Sequence, residues 1–126
     1  MPTWLAIAIG GALGAVARWL VSDGLQRWLG RGFPWGTLAV NVAGSFVLGL
    51  AVVLLIDRLA LGPVWRAGIL IGFVGAFTTF STFAVETIEL AGDGLTLRAG
   101  ANVAASVLCC LAAAWAGMML ARNIAV

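Results

Sequence analysis

Gly72-Phe73-Val74-Gly75-Ala76-Phe77-Thr78-Thr79-Phe80-Ser81-Thr82-Phe83 is the stretch on which the fold turns. It sits inside an uncharged run, Ala67 to Val85, that is long enough to cross a bilayer, yet it suits a plain membrane helix poorly. Two glycines, four hydroxyl residues and four phenylalanines take ten of its twelve positions. Ser and Thr bond to nearby backbone groups in competition with the helical ladder, and Gly weakens that ladder further. In hydrocarbon, backbone released in this way is tolerated only where protein or a water-filled path surrounds it. The stretch therefore predicts a third span broken in mid-membrane, with freed carbonyls and aromatic rings beside a buried pathway. An ordinary helix, its hydroxyls bonded back onto their own turns, is the competing reading. The stretch alone leaves both open.

Outward from it the class is plain. The chain has 126 residues, 63% hydrophobic and 10% charged, whereas a soluble domain carries about 25% charged residues. It reads as an all-α integral membrane protein. Four apolar runs stand out: Trp4 to Val21, which holds one charge at Arg18, then Trp35 to Ile56, Ala67 to Val85 and Ala99 to Ala121, which hold none. Each is near the ~20 residues that a helix needs to span the hydrocarbon. Residues 1–126 are thus expected to form one four-helix domain with both termini on one side. The first run has no basic stretch ahead of it and carries an arginine, so it does not read as a cleaved signal peptide. In the connection Ser22 to Pro34, Leu25, Trp28 and Leu29 interleave with Arg27 and Arg31, which predicts a short segment lying in the interface.

Composition also excludes functions. There is no histidine, which removes the commonest general base and metal ligand, and no enzymatic activity is expected. Cys109 and Cys110 are adjacent in an apolar run and suggest neither a disulfide framework nor a zinc site. A dispersed net charge of +2 does not suit nucleic acid.

The arginines bear on orientation. Arg58, Arg66 and Arg122 flank the spans on the side of the termini; Arg27, Arg31 and Arg98 lie on the other side, with Arg18 just inside the membrane there. The positive-inside rule needs a clear excess, and here there is almost none. Either other signals fix one orientation, or the chain inserts both ways and opposite copies pair. The antiparallel pair would supply the inverted symmetry that many transporters carry within one chain. Gly10 and Gly14, Ser45 and Gly49, and Gly68 and Gly72 lie four apart, a spacing that lets backbones approach closely within or between chains.

Polar residues inside a membrane are costly and point to function. Asn41 lies about two turns into the second span, and its amide has two donors for an anion or a backbone carbonyl. Asn102, Ser106 and Cys110 recur every four residues on the fourth span. Arg18 either snorkels to the interface or draws anions into a vestibule. Glu86 is the acid nearest the membrane core and the best candidate for proton coupling, although its place at a span end favours solvent exposure. Phe77, Phe80 and Phe83 are spaced three apart, as packing residues often are. A phenyl ring has a positive edge, so Asn41, the hydroxyls and these edges would also frame a narrow anion path.

Gly10 to Trp19, Gly36-Thr37-Leu38-Ala39-Val40-Asn41-Val42-Ala43-Gly44-Ser45-Phe46, and Gly72 to Phe83 resemble the CrcB/Fluc family of fluoride channels. Gly-x-x-Gly-x-x-Thr-Thr-Phe-Ser-Thr-Phe is a specific signature, and the resemblance covers nearly the whole chain. It implies a dual-topology antiparallel homodimer in the inner membrane of a prokaryotic cell, with two pores that export toxic fluoride passively. It implies that Asn41, Phe80 and Phe83 line the pore, that Ser81 borders it, and that Ser106 belongs to the polar track of the fourth span. It further implies a structural sodium ion held by the backbone carbonyls of Gly75 and Thr78. Trp19 replaces the family's usual tyrosine or phenylalanine, and Asn102 and Cys110 depart from its usual fourth-span pattern. The rival reading is a small dual-topology proton-coupled exporter of drugs or cations. That function wants a carboxylate deep in a span, and Trp4 to Val21 has no acid.

Overall fold

A computed structural model describes residues 1–124. Four helices are long and apolar enough to cross a membrane: Thr3–Leu29, Trp35–Arg58, Pro63–Gly92 and Thr96–Asn123. Among the described residues there is no strand.

Helix α1 (Thr3–Leu29) runs on past Val21, so the segment expected to lie separately in the interface continues the first span. Asp23, Gln26 and Arg27 find partners where they stand. Asp23 and Arg27 pair at 2.8 Å one turn apart, an arrangement that supports a helix. Gln26 Nε2 donates to the carbonyls of Gly30 and Phe33 at 2.9 Å each, and Gln26 Oε1 accepts from the Gly36 amide at 3.2 Å. The helix ends at Gly30, whose φ of 87° is open to glycine because it has no Cβ.

Helix α2 (Trp35–Val52) continues as a π-helical turn, Val53–Arg58. The third span has four parts. Helix α3 (Pro63–Arg66) starts with proline, whose missing amide proton costs nothing in a first turn. It passes into a π-helical stretch, Ala67–Val74, and then into α4 (Gly75–Phe77). Thr78 (φ −88°, ψ 160°) and Thr79 (φ −153°, ψ 113°) are extended. Helix α5 (Phe80–Gly92) then begins afresh, with Thr79 as its N-cap accepting from the Thr82 amide at 3.2 Å. Capping of this kind satisfies an amide that a helix start leaves without a partner. Helix α6 (Thr96–Asn123) is the fourth span.

Glycines set the close approaches. A Cβ on Gly10 would run into the Gly68 carbonyl oxygen, and one on Gly14 into that of Phe73. Gly72 meets the Ile7 carbonyl from the other side. Between α2 and α6, Gly49 abuts the Ala114 carbonyl and Gly117 that of Phe46. Gly10, Gly14, Gly49, Gly68 and Gly72 therefore serve packing within the chain. At one end Arg58 Nη2 donates to the Arg122 carbonyl at 2.7 Å; at the other Arg98 Nη1 donates to that of Gly32 at 3.0 Å.

Candidate functional site

The two extended residues are held from α2. Asn41 Nδ2 donates to the Thr79 carbonyl at 2.9 Å, and the Thr79 amide donates to Asn41 Oδ1 at 2.7 Å. One side chain therefore closes a two-bond ring on one peptide unit, leaving the second Nδ2 proton for another acceptor. In a continuing helix the Thr79 amide would bond the Gly75 carbonyl; here it does not. Arg18 Nη1 donates to the Thr78 carbonyl at 3.3 Å, so its guanidinium lies against the backbone beside the extended pair. The Gly75 and Thr78 carbonyls are hard oxygen donors: the first lacks its helical partner, and the second keeps a lone pair free of its one long hydrogen bond. Both fit a small hard cation of the sodium type. Among the described residues there is no group of three or more His, Cys, Asp or Glu that could hold a metal, so a cation here would depend on such backbone oxygens.

Beside this junction lies a groove of about 390 Å³ whose lining includes Asn41, Ser45, Thr79, Phe80, Phe83, Ser106 and Cys110. Four residues singled out in the sequence, Asn41, Phe80, Phe83 and Ser106, thus meet at one surface drawn from three helices. The two rings differ in setting. Phe83 is 9% exposed and Phe80 78%, although their centroids are 5.3 Å apart with planes tilted by 52°. Behind Phe83 runs a chain of hydrogen bonds. Thr87 Oγ1 donates to the Phe83 carbonyl at 2.7 Å, Asn102 Nδ2 donates to Thr87 Oγ1 at 2.9 Å, and Ser106 Oγ makes a long contact of 3.5 Å with Asn102 Oδ1. Asn102, 1% exposed, is thereby satisfied.

The family of CrcB-like proteins, described as Camphor Resistance (CrcB), matches residues 5–118. This chain belongs to that family. It is 56% identical over 121 residues to a fluoride-specific ion channel FluC of Methylococcus capsulatus, covering 96% of this chain and 53% of that protein. A protein of the same description from Geobacter sulfurreducens is 50% identical over 124 residues, covering 98% of this chain and 100% of the relative. A third, from Magnetococcus marinus, is 48% identical over 118 residues. The chain therefore spans about half of the first relative and the whole of the second. Its four long apolar helices and its bacterial relatives make it a multi-pass prokaryotic membrane protein.

A second cavity of this CrcB-like chain, about 450 Å³, adjoins the first through Thr79 and is lined by Arg18, Asp23, Gln26, Thr37, Thr82 and Glu86 among others. Glu86 is half-buried rather than solvent-exposed. Its Oε1 accepts from Thr37 Oγ1 at 2.9 Å, and its Oε2 is buried with no partner among the described residues. Ser81 is exposed and lies outside the groove's lining; its hydroxyl stands 3.4 Å from Thr79 Oγ1. Phe77 stacks on Phe73, with centroids 6.1 Å apart. Sequence reasoning gave no pathway or site role to Thr37 and Thr87. For Thr87 a signal existed: it follows Phe83 by one helical turn. Nothing local marks Thr37, whose partner is 49 residues away.

Proposed function

We propose that this chain is a fluoride-selective channel that lets cytoplasmic fluoride leave the cell passively and so limits its toxicity. The observation that carries the reading is the groove in which Asn41, Phe80, Phe83 and Ser106 meet, in a chain whose relatives carry the description fluoride-specific ion channel. Fluoride is small, strongly hydrated and a strong hydrogen-bond acceptor. A pore must replace its lost water with donors, because a bare charge in a low-dielectric setting is very costly. The second Nδ2 proton of Asn41, nearby hydroxyls and positive ring edges are such donors. The groove's lining includes no carboxylate, so no full negative charge along it repels an anion. Arg18 brings a positive charge to the adjoining cavity, where it stands with Asp23, itself paired with Arg27, and Glu86.

The working unit in this reading is an antiparallel homodimer with two pores. Support comes from the balanced arginines and from Phe80, whose ring is 78% exposed in one chain and leaves the groove open on one side. The third span is broken in mid-membrane at Thr78 and Thr79, and the Gly75 and Thr78 carbonyls of both copies hold a structural sodium ion. When bound, that ion offsets the mutual repulsion of anions in flanking pores. This reading includes no enzymatic step. A proton-coupled exporter would want its acid in the narrow part of the route; Glu86 lines the adjoining cavity, and the groove's lining holds no acid, which favours a channel. Purified protein in liposomes loaded with potassium fluoride should release the fluoride, with no imposed pH gradient, once a potassium ionophore carries the balancing charge. Vesicles that retain their fluoride as protein-free ones do would sink the proposal.

A further inference from the structure

Asn41 has a use beyond offering a donor to a passing anion. Its two bonds to the Thr79 peptide, at 2.9 and 2.7 Å, fasten the extended pair to α2 from 38 residues away. The acceptor half matters most. Thr79 is four residues after Gly75, so its amide is the donor that an unbroken helix would give to the Gly75 carbonyl. Oδ1 of Asn41 takes that proton instead. The Thr79 hydroxyl is used locally, accepting from the Thr82 amide at 3.2 Å and donating to Thr82 Oγ1 at 2.9 Å. No local side chain is thus bonded to the Thr79 amide, and the choice between an open and a closed helix falls to the residue on α2.

From this geometry we infer that Asn41 is the positioning residue of the cation site: by capturing the Thr79 amide it keeps the Gly75 carbonyl open as a ligand. The inference rests on the reading of Gly75 and Thr78 as sodium ligands given above. It makes one side chain serve both ions, the anion through a free Nδ2 proton and the cation through Oδ1. Removal of the acceptor leaves a buried amide that an unbroken helix would pair with the Gly75 carbonyl, and a buried amide without a partner is costly. The helix would then close by one bond and withdraw a ligand.

Two measurements test it. In proteoliposomes of the wild-type protein with Asn labelled by 13C at Cγ and Thr by 15N, solid-state NMR should show a dipolar contact between Thr79 N and Asn41 Cγ. Sodium affinity, read from the sodium dependence of dimer thermal stability with no fluoride present, should fall at least tenfold in Asn41→Leu. It should stay within about threefold of wild type in Asn41→Asp, because a carboxylate still accepts the Thr79 proton, a tenfold change being about 1.4 kcal/mol. A role as anion ligand alone would leave sodium affinity unchanged in both variants. Absence of the NMR contact, or wild-type affinity in Asn41→Leu, would overturn the inference. If Asn41→Leu does not assemble, the contact in the wild-type protein decides. A wild-type dimer with the contact but no sodium dependence would instead overturn the cation reading, and the inference with it.

Discussion

Phe80→Ile and Phe83→Ile look equivalent in the sequence and should behave differently. Either change removes the tilted ring pair at 5.3 Å, worth about 0.5–1.5 kcal/mol beyond its buried area. Phe83, 9% exposed, also loses packing inside its own chain, at a further cost of up to about 1.5 kcal/mol for a swap that keeps apolar bulk. Phe80, 78% exposed in one chain, has little such packing to lose. Counting one chain's own packing, Phe83→Ile should therefore destabilise the fold by about 0.5–3 kcal/mol, and Phe80→Ile by about half that or less. Conduction should ignore this difference. Isoleucine has no positive ring edge to offer an anion, so each variant should lose at least tenfold in fluoride rate, a barrier change of about 1.4 kcal/mol. The assay is fluoride-electrode efflux from liposomes, paired with thermal unfolding of the same preparations. Wild-type efflux from stable Phe80→Ile and Phe83→Ile dimers would reduce both rings to packing and refute the reasoning.

Other consequences are simpler. Gly14→Ala should disrupt folding, because its Cβ would strike the Phe73 carbonyl, whereas Gly11→Ala, with nothing within 4 Å, should be neutral or gain about 0.5–1 kcal/mol; equal melting temperatures would contradict the packing described. Thr37→Val removes the one side-chain donor to Glu86 among the described residues and should cost about 1–3 kcal/mol. Thr37→Ser should restore most of it, and Glu86→Gln should leave fluoride efflux near wild type; a loss of efflux in that last variant would favour the exporter. C-terminal tags should report both membrane faces in similar amounts, and two or three added lysines should force one orientation and silence the chain until a copy biased the other way is co-expressed. Tags confined to one face would end the antiparallel reading.

How much of this was legible in the sequence follows from the range of the forces. The four apolar runs were visible because charge is so expensive in hydrocarbon that its absence marks a span. Span ends were less so. The extension of α1 to Leu29 depends on the Asp23–Arg27 pair and on Gln26 bonding across the turn, which apolarity does not record. The Gly-x-x-x-Gly spacings announced close approach but not the partner; the carbonyls of Gly68, Phe73 and Ala114 show it to be the chain itself. Gly, Ser and Thr between phenylalanines marked Gly72 to Phe83 as a poor helix, without saying which residues would leave it. The Asn41 ring on Thr79 and the Thr37–Glu86 bond join residues 38 and 49 positions apart, and only folding brings these together. Asn41 could be singled out as a buried amide, whereas the peptide it holds could not.

Selectivity tests the central claim most directly. Purified protein in a planar bilayer, with unequal fluoride and equal chloride on the two sides, should carry a current that reverses at the fluoride equilibrium potential. Imposing a pH difference across the bilayer should not move that reversal. A reversal potential that follows the proton or chloride gradient instead, or a bilayer that stays silent, would contradict the account.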